Sequence, residues 1–363
     1  MSCLPVSKSI NTSFFNKKTV VTFFLSILIV LLHVTSFEGY NYQGALGSAI
    51  SFFGSFVTEG ITSVAIRLFF VISGVLFYRN YTYKTTATKL KSRFKTLVIP
   101  YLVWCVFYTV VMMVVDASPL GGFIAVEADF TVKNLFLGFF FNYFYKSLWF
   151  IFNLIIFTLL CPVIYTLLSN KYIGGLVVSA ITVLYAFGIR IPETVMVGGE
   201  EYIVFWRADS IIFYLIGAYV GMHFFDWFSK RKGKVVSVVS LILFLMCSLY
   251  ITLADDFNLY NEGIVYILIM TVFCFSTWFM FDLFTFDKKP KHICNYSFMM
   301  FALNFYLAVY VAKVLYIVLP KSQIFAIVNL ILTLIIVIGF ILLSSAFMEK
   351  YLPKVYKLIT GNR

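Results

Sequence analysis

The sequence predicts an all-α integral membrane protein with about ten transmembrane helices. Of its 363 residues, 61% are hydrophobic and only 12% are charged, whereas soluble domains are about 45–50% apolar and about 25% charged. Apolar runs of membrane-spanning length recur along the chain, and lipid leaves a spanning segment few alternatives to an α-helix. The predicted spans are approximately residues 19–37, 61–79, 97–115, 147–168, 173–190, 204–224, 234–253, 262–284, 293–318 and 323–348.

The distribution of charged residues predicts how these spans are oriented. If the N-terminus is cytoplasmic, most of the 28 Lys and Arg residues fall on the inner side and most of the 16 acidic residues on the outer side. Membrane proteins show this bias, so we expect both termini in the cytoplasm, with tails 1–18 and 349–363 flanking a transmembrane domain at 19–348. The aromatic run from Asn134 to Tyr145 is too short to span and is expected along the outer interface.

Charge and cysteine content exclude several other classes of function. A net charge of +12 would suggest a nucleic-acid partner in a soluble protein, but here the basic residues flank membrane spans, so we expect no such partner. The six cysteines are scattered without CxxC spacing or a nearby histidine cluster. We therefore expect free thiols and no metal site.

The segment from Thr62 to Arg79 places an arginine, Arg67, inside an apolar run. Such a charge costs about 3 kcal/mol on an insertion scale, so a partner or a function should accompany it. Helix rise puts His33, Arg67 and Asn304 at one level, roughly 18 to 22 Å above the inner charged border. Near that level, a histidine can act as a general base and a cation can hold an anionic or carbonyl oxygen.

Each of these three residues also has a simpler structural explanation. His33 could hydrogen-bond a carbonyl group at a helix end, and Arg67 could extend towards Glu59 near the outer surface. Asn304 could join neighbouring helices, as buried amides in membranes often do. The sequence alone leaves both interpretations open.

Several stretches resemble the acyltransferase 3 family of integral membrane enzymes, which acylate sugars and other hydroxyl-bearing acceptors. RLFFVISGVLF, which contains Arg67 and Ser73, resembles the LFFxxSGxLF signature of that family. FFLSILIVLLHVTSF resembles its opening span, which ends in a histidine, here His33. Three further stretches resemble the family and follow in its order: KLKSRFKTLVIPYLVW, SLWFIFNLIIF around Trp149, and CNYSFMMFALNFYLAVY near the end of the chain. The resemblance is spread over most of the chain.

The resemblance implies a mechanism and a set of site residues. Cytoplasmic acyl-CoA would place its phosphates on Lys89, Lys91, Arg93 and Lys95, because polyphosphate needs a cluster of cations; inside-positive topology would explain the same cluster equally well. His33 would remove the acceptor's hydroxyl proton or carry the acyl group transiently. The residues expected to bind the acyl group or the acceptor are Arg67, Ser73, Trp149, Asn153 and Asn304.

The chain departs from the family pattern at several polar positions. Relatives often have an arginine at the position of Thr22. An arginine is also common soon after the tryptophan, where this chain has Phe152 and Asn153. Relatives often have a histidine at the position of Asn304. Arg67 occupies a position where relatives commonly have proline. Two interpretations follow: Arg67 replaces a missing cation, or the protein has lost catalysis.

The sequence thus supports a membrane O-acyltransferase in the bacterial inner membrane. It would move an acyl group, most simply acetyl, from acyl-CoA to a hydroxyl of a cell-surface glycan or its lipid-linked precursor, with no bound cofactor. The alternatives are a non-enzymatic transporter or flippase for a glycan or lipid, which would have a similar polar cluster in the membrane, and an assembly partner with an inactive site.

Overall fold

The computed structural model describes residues 6–118, 130–141, 143–189, 194–197, 200–203, 209–256 and 263–362. Within these ranges the chain is mainly α-helical, with one short antiparallel hairpin of β1 (Thr194–Val197) and β2 (Glu200–Ile203). The α-helices in chain order are α1 (Val6–Leu32), α2 (Gly44–Ser55), α3 (Val64–Tyr78), α4 (Thr86–Arg93), α5 (Ile99–Asp116), α6 (Val132–Phe141), α7 (Trp149–Leu159), α8 (Cys161–Leu168), α9 (Lys171–Ala186), α10 (Asp209–His223), α11 (Phe225–Ser229), α12 (Lys234–Asp256), α13 (Ile264–Met280), α14 (Ser297–Val318), α15 (Phe325–Tyr351) and α16 (Pro353–Thr360).

Among the described residues, 7 helical stretches are long and apolar enough to cross a membrane, and 8 if α7 and α8 form one span. This confirms a helical, multi-pass membrane protein. The fifth predicted span corresponds to α9, of 16 residues, and the sixth to α10, of 15 residues. Both are shorter than a usual spanning helix of about 20 residues, and residues 204–208 of the sixth prediction lie outside the described ranges. The count of ten spans stays a prediction.

The fourth predicted span is not one straight helix. α7 and α8 meet at an angle of 66°, and the break precedes Cys161 and Pro162. Proline lacks the backbone N–H that a continuous helix needs, and its ring collides with the carbonyl group four residues earlier. The sequence contained this signal at Pro162, and the prediction of an uninterrupted span at 147–168 overlooked it.

The chain divides into two compact units, each built from segments far apart in sequence. The first unit comprises Met1–Tyr81, Tyr165–Ile191 and Ala208–Ser344; the second comprises Thr82–Ile164, Pro192–Arg207 and Ser345–Arg363.

Two pairs of parallel helices organise the first unit. α1 runs beside α14, because the Ser26 hydroxyl donates to the Ser297 carbonyl oxygen at 3.1 Å and the rings of His33 and Phe305 pack 4.9 Å apart. α3 runs beside α10 at very close range. A Cβ atom added to Gly217 would lie 2.8 Å from Val71 Cα and would collide with the Val71 carbonyl oxygen. Gly217 and Gly221 form a GxxxG pattern, which lets membrane helices approach backbone to backbone.

A buried ion pair ties α1 to the end of α13. Lys17 Nζ lies 2.7 Å from Asp282 Oδ1, and both side chains are buried. The second carboxylate oxygen of Asp282 accepts from the Lys232 backbone N–H at 3.2 Å. Asp282 thereby joins three segments of the chain: α1, the end of α13 and the segment at Lys232.

In the second unit the C-terminal segment is packed against α5. Trp104 Nε1 donates to the Ile359 carbonyl oxygen at 3.0 Å. Gly361 ends α16 with φ +68°, and a Cβ atom there would lie 2.9 Å from Thr96 Cα. Residues 353–360, predicted as part of a tail, therefore form a docked helix. The aromatic run from Asn134 forms most of α6, whose ten residues are too few to span.

Candidate functional site

His33 lies directly after the C-terminal end of α1. Its backbone N–H donates to the Val30 carbonyl oxygen at 3.1 Å, which closes the last helical turn. The imidazole is half-buried and meets the edge of Phe305 on α14. The structure thus holds this histidine inside the helix bundle by packing on a neighbouring helix.

Asn304, the residue before Phe305, has an unused acceptor. Its side chain is 1% exposed, and its Nδ2 donates to the carbonyl oxygens of Met300 and Phe301 at 3.0 and 2.7 Å. Its Oδ1 is buried and has no hydrogen-bond partner among the described residues. A buried carbonyl oxygen without a donor costs about 1–3 kcal/mol, so this atom is suited to accept a further hydrogen bond.

Ser36 is a further polar residue, in the loop after His33, and the sequence argument did not consider it. Its side chain is 0% exposed, and its Oγ has no hydrogen-bond partner in the part of the chain described. A single serine three residues beyond a histidine carries no recognisable pattern, which explains the omission. The structure brings His33 and Asn304 to one level of the bundle and adds Ser36 close by in the chain.

Arg67 belongs to a second polar cluster. It is 6% exposed and pairs with Asp209 of α10, with 3.0 Å between Arg67 Nη2 and Asp209 Oδ2. The same nitrogen donates to the Tyr266 hydroxyl on α13, and Nη1 donates to the Ser63 carbonyl oxygen at 2.6 Å. The carboxylate balances the charge that the sequence marked as costly, and Asp209 at the N-terminal end of α10 also suits the helix dipole.

The other predicted residues for the acyl group or acceptor are distributed between the two units. Ser73 is half-buried on α3, beside Gly74 at the contact with α10. In the second unit, Trp149 begins α7 and Asn153 is 0% exposed one turn later.

The four predicted cations for CoA lie on α4 and the π-helical segment Phe94–Val98 that follows it. Lys91 and Lys95 are exposed, whereas Lys89 and Arg93 are half-buried. Lys91 and Arg93 border a groove of about 250 Å³ between this region and α7. The groove is otherwise apolar, with Leu90, Leu97 and Ile155 in its walls. It can therefore contact both an anionic group and a hydrocarbon chain.

Among the described residues, no group of three His, Cys, Asp or Glu side chains converges. The described cysteines are all buried, and no disulfide bond joins any two of them.

A family model for an acyltransferase domain matches residues 21–349. The chain belongs to the acyltransferase 3 family. Together with the membrane-spanning helices, this makes the protein a membrane acyltransferase. No curated protein and no solved structure gives a significant match.

In a membrane acyltransferase the two regions have different chemical capacities. His33 is a titratable base beside a helix that carries an unused acceptor oxygen on Asn304. The basic groove on α4 offers cations beside an apolar surface. The first region suits proton transfer and the second suits binding of an amphiphilic, anionic donor.

Proposed function

We propose that the protein is an O-acyltransferase that moves an acyl group, acetyl in the simplest case, from cytoplasmic acyl-CoA to a hydroxyl of a cell-surface glycan or its lipid-linked precursor. The observation that carries the proposal is the half-buried His33 beside α14, where Asn304 Oδ1 is buried without a hydrogen-bond partner among the described residues. Acyl-CoA is a co-substrate rather than a resident cofactor. The expected location is the bacterial inner membrane, with ten spans and both termini cytoplasmic.

On the donor side, the CoA phosphates would bind Lys89, Lys91, Arg93 and Lys95. The groove beside Lys91 and Arg93 supports this assignment, because positive charge alone would not require an apolar groove at the same place. Guanidinium and ammonium groups form strong, charge-assisted hydrogen bonds with phosphate oxygens.

At the reacting end, His33 would take the proton from the acceptor hydroxyl as its oxygen attacks the thioester carbonyl carbon. A C–O bond forms, the C–S bond breaks, and the proton passes from His33 to the CoA sulfur. Asn304 Oδ1 would accept a hydrogen bond from the acceptor hydroxyl or from the imidazole N–H and so orient the reacting group. A route in which His33 first carries the acyl group uses the same residues.

The proposed role in binding the acyl group or the acceptor still applies to four residues: Arg67, Ser73, Trp149 and Asn153. For Arg67 the ion pair with Asp209 adds a structural role, since it joins α3 to α10. The carbonyl oxygen of the acyl group would accept a hydrogen bond from the Arg67 guanidinium. This bond would either replace one of the contacts that the guanidinium already makes or be added to them.

The test compares acetyl transfer by membranes containing the wild-type protein, His33→Ala or His292→Ala, supplied with radiolabelled acetyl-CoA and total glycan. His292 is exposed in a short 3₁₀ segment and serves as the matched control. We expect His33→Ala to lower label incorporation by about 10²–10⁴-fold, with His292→Ala unchanged. Equal label in wild type and His33→Ala would overturn the assignment of His33. No label with any variant, at normal protein levels, would favour the transporter alternative.

A further inference from the structure

A cavity of about 510 Å³ lies in the first unit, where α9 and α12 end and α13 begins. Its walls include Ala186 and Phe187 at the end of α9, Ile251 and Ala254 on α12, and Ile264 and Tyr266 on α13. None of the described residues that line it is charged. The small side chains of the two alanines leave this space open, whereas larger residues at the same positions would fill it.

The surroundings of the cavity indicate an apolar ligand. Both α12 and α13 are long and apolar enough to span the membrane, so the hydrocarbon chains of lipids can reach this wall. The volume lies within the range of about 300–1,000 Å³ that is usual for ligand sites, and exceeds the gaps that remain between well-packed helices.

Tyr266 connects the cavity to the polar interior. Its ring forms part of the cavity wall, and its hydroxyl accepts a hydrogen bond from Arg67. Arg67 lies on α3, which contacts α1, the helix that leads to His33. Tyr266 and Arg67 thus connect the cavity wall to α3, which packs against the helix that leads to His33. The proposed topology also places these helix ends on the outer side, where the acceptor would arrive.

We infer that this cavity binds the hydrocarbon chain of the acceptor, so that the acceptor is a lipid-linked glycan rather than a free polysaccharide. The inference rests on the proposed function and narrows its substrate class. Tyr266 would then mark where the chain ends and the polar part of the lipid begins, next to the Arg67 cluster. Bulk phospholipid is the other source of a hydrocarbon chain, and the experiment separates the two.

The experiment is photo-crosslinking of the full-length protein in phosphatidylcholine nanodiscs. One probe is a polyprenyl-phosphate sugar with a diazirine on its chain, and the other is phosphatidylcholine with the same diazirine. Labelled peptides are identified by mass spectrometry. We expect the polyprenyl probe to label residues 250–254 and 264–266, and an excess of unlabelled polyprenyl-phosphate sugar to abolish that label.

Two cavity-filling variants, Ala254→Trp and Ala186→Trp, test the position on separate helices. Each should lower labelling by the polyprenyl probe about tenfold, the equivalent of about 1.4 kcal/mol. The matched control is Ala346→Trp, on an exposed face of α15, which should leave labelling unchanged. The second variant keeps the test decisive if the first does not accumulate.

The outcomes also separate this inference from the proposed function. Crosslinking requires no turnover, so His33→Ala should retain full labelling of the cavity while losing acetyl transfer. Equal labelling by both probes without competition would show bulk lipid and overturn the inference. Labelling only of residues outside the cavity would also overturn the inference. Acetyl transfer by the wild type would in that case still support the proposed acyltransferase function.

Discussion

Two polar regions of the first unit differ in how their polar groups are used: one contains the half-buried His33 and the buried Asn304, and the other is the buried pair of Arg67 and Asp209. Arg67 donates to a carboxylate, a hydroxyl and a backbone carbonyl oxygen. Asn304 satisfies its amide nitrogen on its own helix and leaves its oxygen without a partner among the described residues. Arg67, whose charge costs more free energy to bury in a membrane, is therefore the residue whose contacts do more to hold helices together.

Because of this difference, Asn304 is a better indicator of the candidate site than Arg67. A charge inside a membrane indicates function by default, and Arg67 was the most conspicuous residue of the sequence for that reason. An ion pair can equally be structural, whereas a buried acceptor without a donor points to a missing ligand or reaction partner. The contrast predicts that removing a group from the Arg67 cluster mainly affects stability, and that removing a group near His33 mainly affects activity.

The largest effect is expected from Asp209→Ala, which leaves the Arg67 charge buried without its carboxylate. Removing one partner of a buried ion pair costs about 3–5 kcal/mol, so the variant should accumulate poorly and unfold at a lower temperature in detergent. The double variant Arg67→Leu/Asp209→Leu removes both charges and should recover much of that loss. If the single and double variants are equally unstable, the ion pair is not what Asp209 contributes.

A smaller effect, on activity rather than folding, is expected from Asn304→Leu. Leucine has a similar volume. It removes the buried oxygen, which favours the folded state, and also the Nδ2 hydrogen bonds to Met300 and Phe301, which opposes it, so the unfolding temperature should change little. Acetyl transfer should fall about tenfold or more, because one hydrogen bond to a polar reacting group is worth about 1–3 kcal/mol. The matched control is Asn329→Leu on α15. The Asn329 amide forms hydrogen bonds with the Ala312 carbonyl oxygen and the Thr333 hydroxyl, so its loss should lower stability instead. Unchanged transfer by Asn304→Leu would remove Asn304 from the site.

The smallest effect, of opposite sign, is expected from Ser36→Ala. The Ser36 hydroxyl is buried without a hydrogen-bond partner within the described ranges, so its removal should raise the free energy of unfolding by about 1 kcal/mol. Thermal unfolding of the purified protein measures this change. A loss of stability would mean that Ser36 makes a contact essential to the fold, and a parallel loss of transfer would add Ser36 to the residues that bind substrate.

Part of the candidate site could be predicted by counting residues along single helices. The rise of an α-helix placed His33 and Asn304 at one depth, and the contact between His33 and Phe305 shows α1 and α14 aligned in that way. The same counting placed Arg67 at this depth but gave no information about its neighbours. Asp209 and Tyr266 are more than a hundred residues away in the chain, and no local pattern joins them to Arg67.

The sequence by itself determined the membrane class, the helical character and the family, because hydrophobicity and short motifs are properties of consecutive residues. Tertiary structure alone decided which helices are neighbours, and hence which polar groups share a cluster. Close packing of α3 on α10 through Gly217 and Gly221 brings Asp209 to Arg67. It also decided where the interior stays open, because the cavity at Tyr266 depends on three helix ends that only the folded chain brings together.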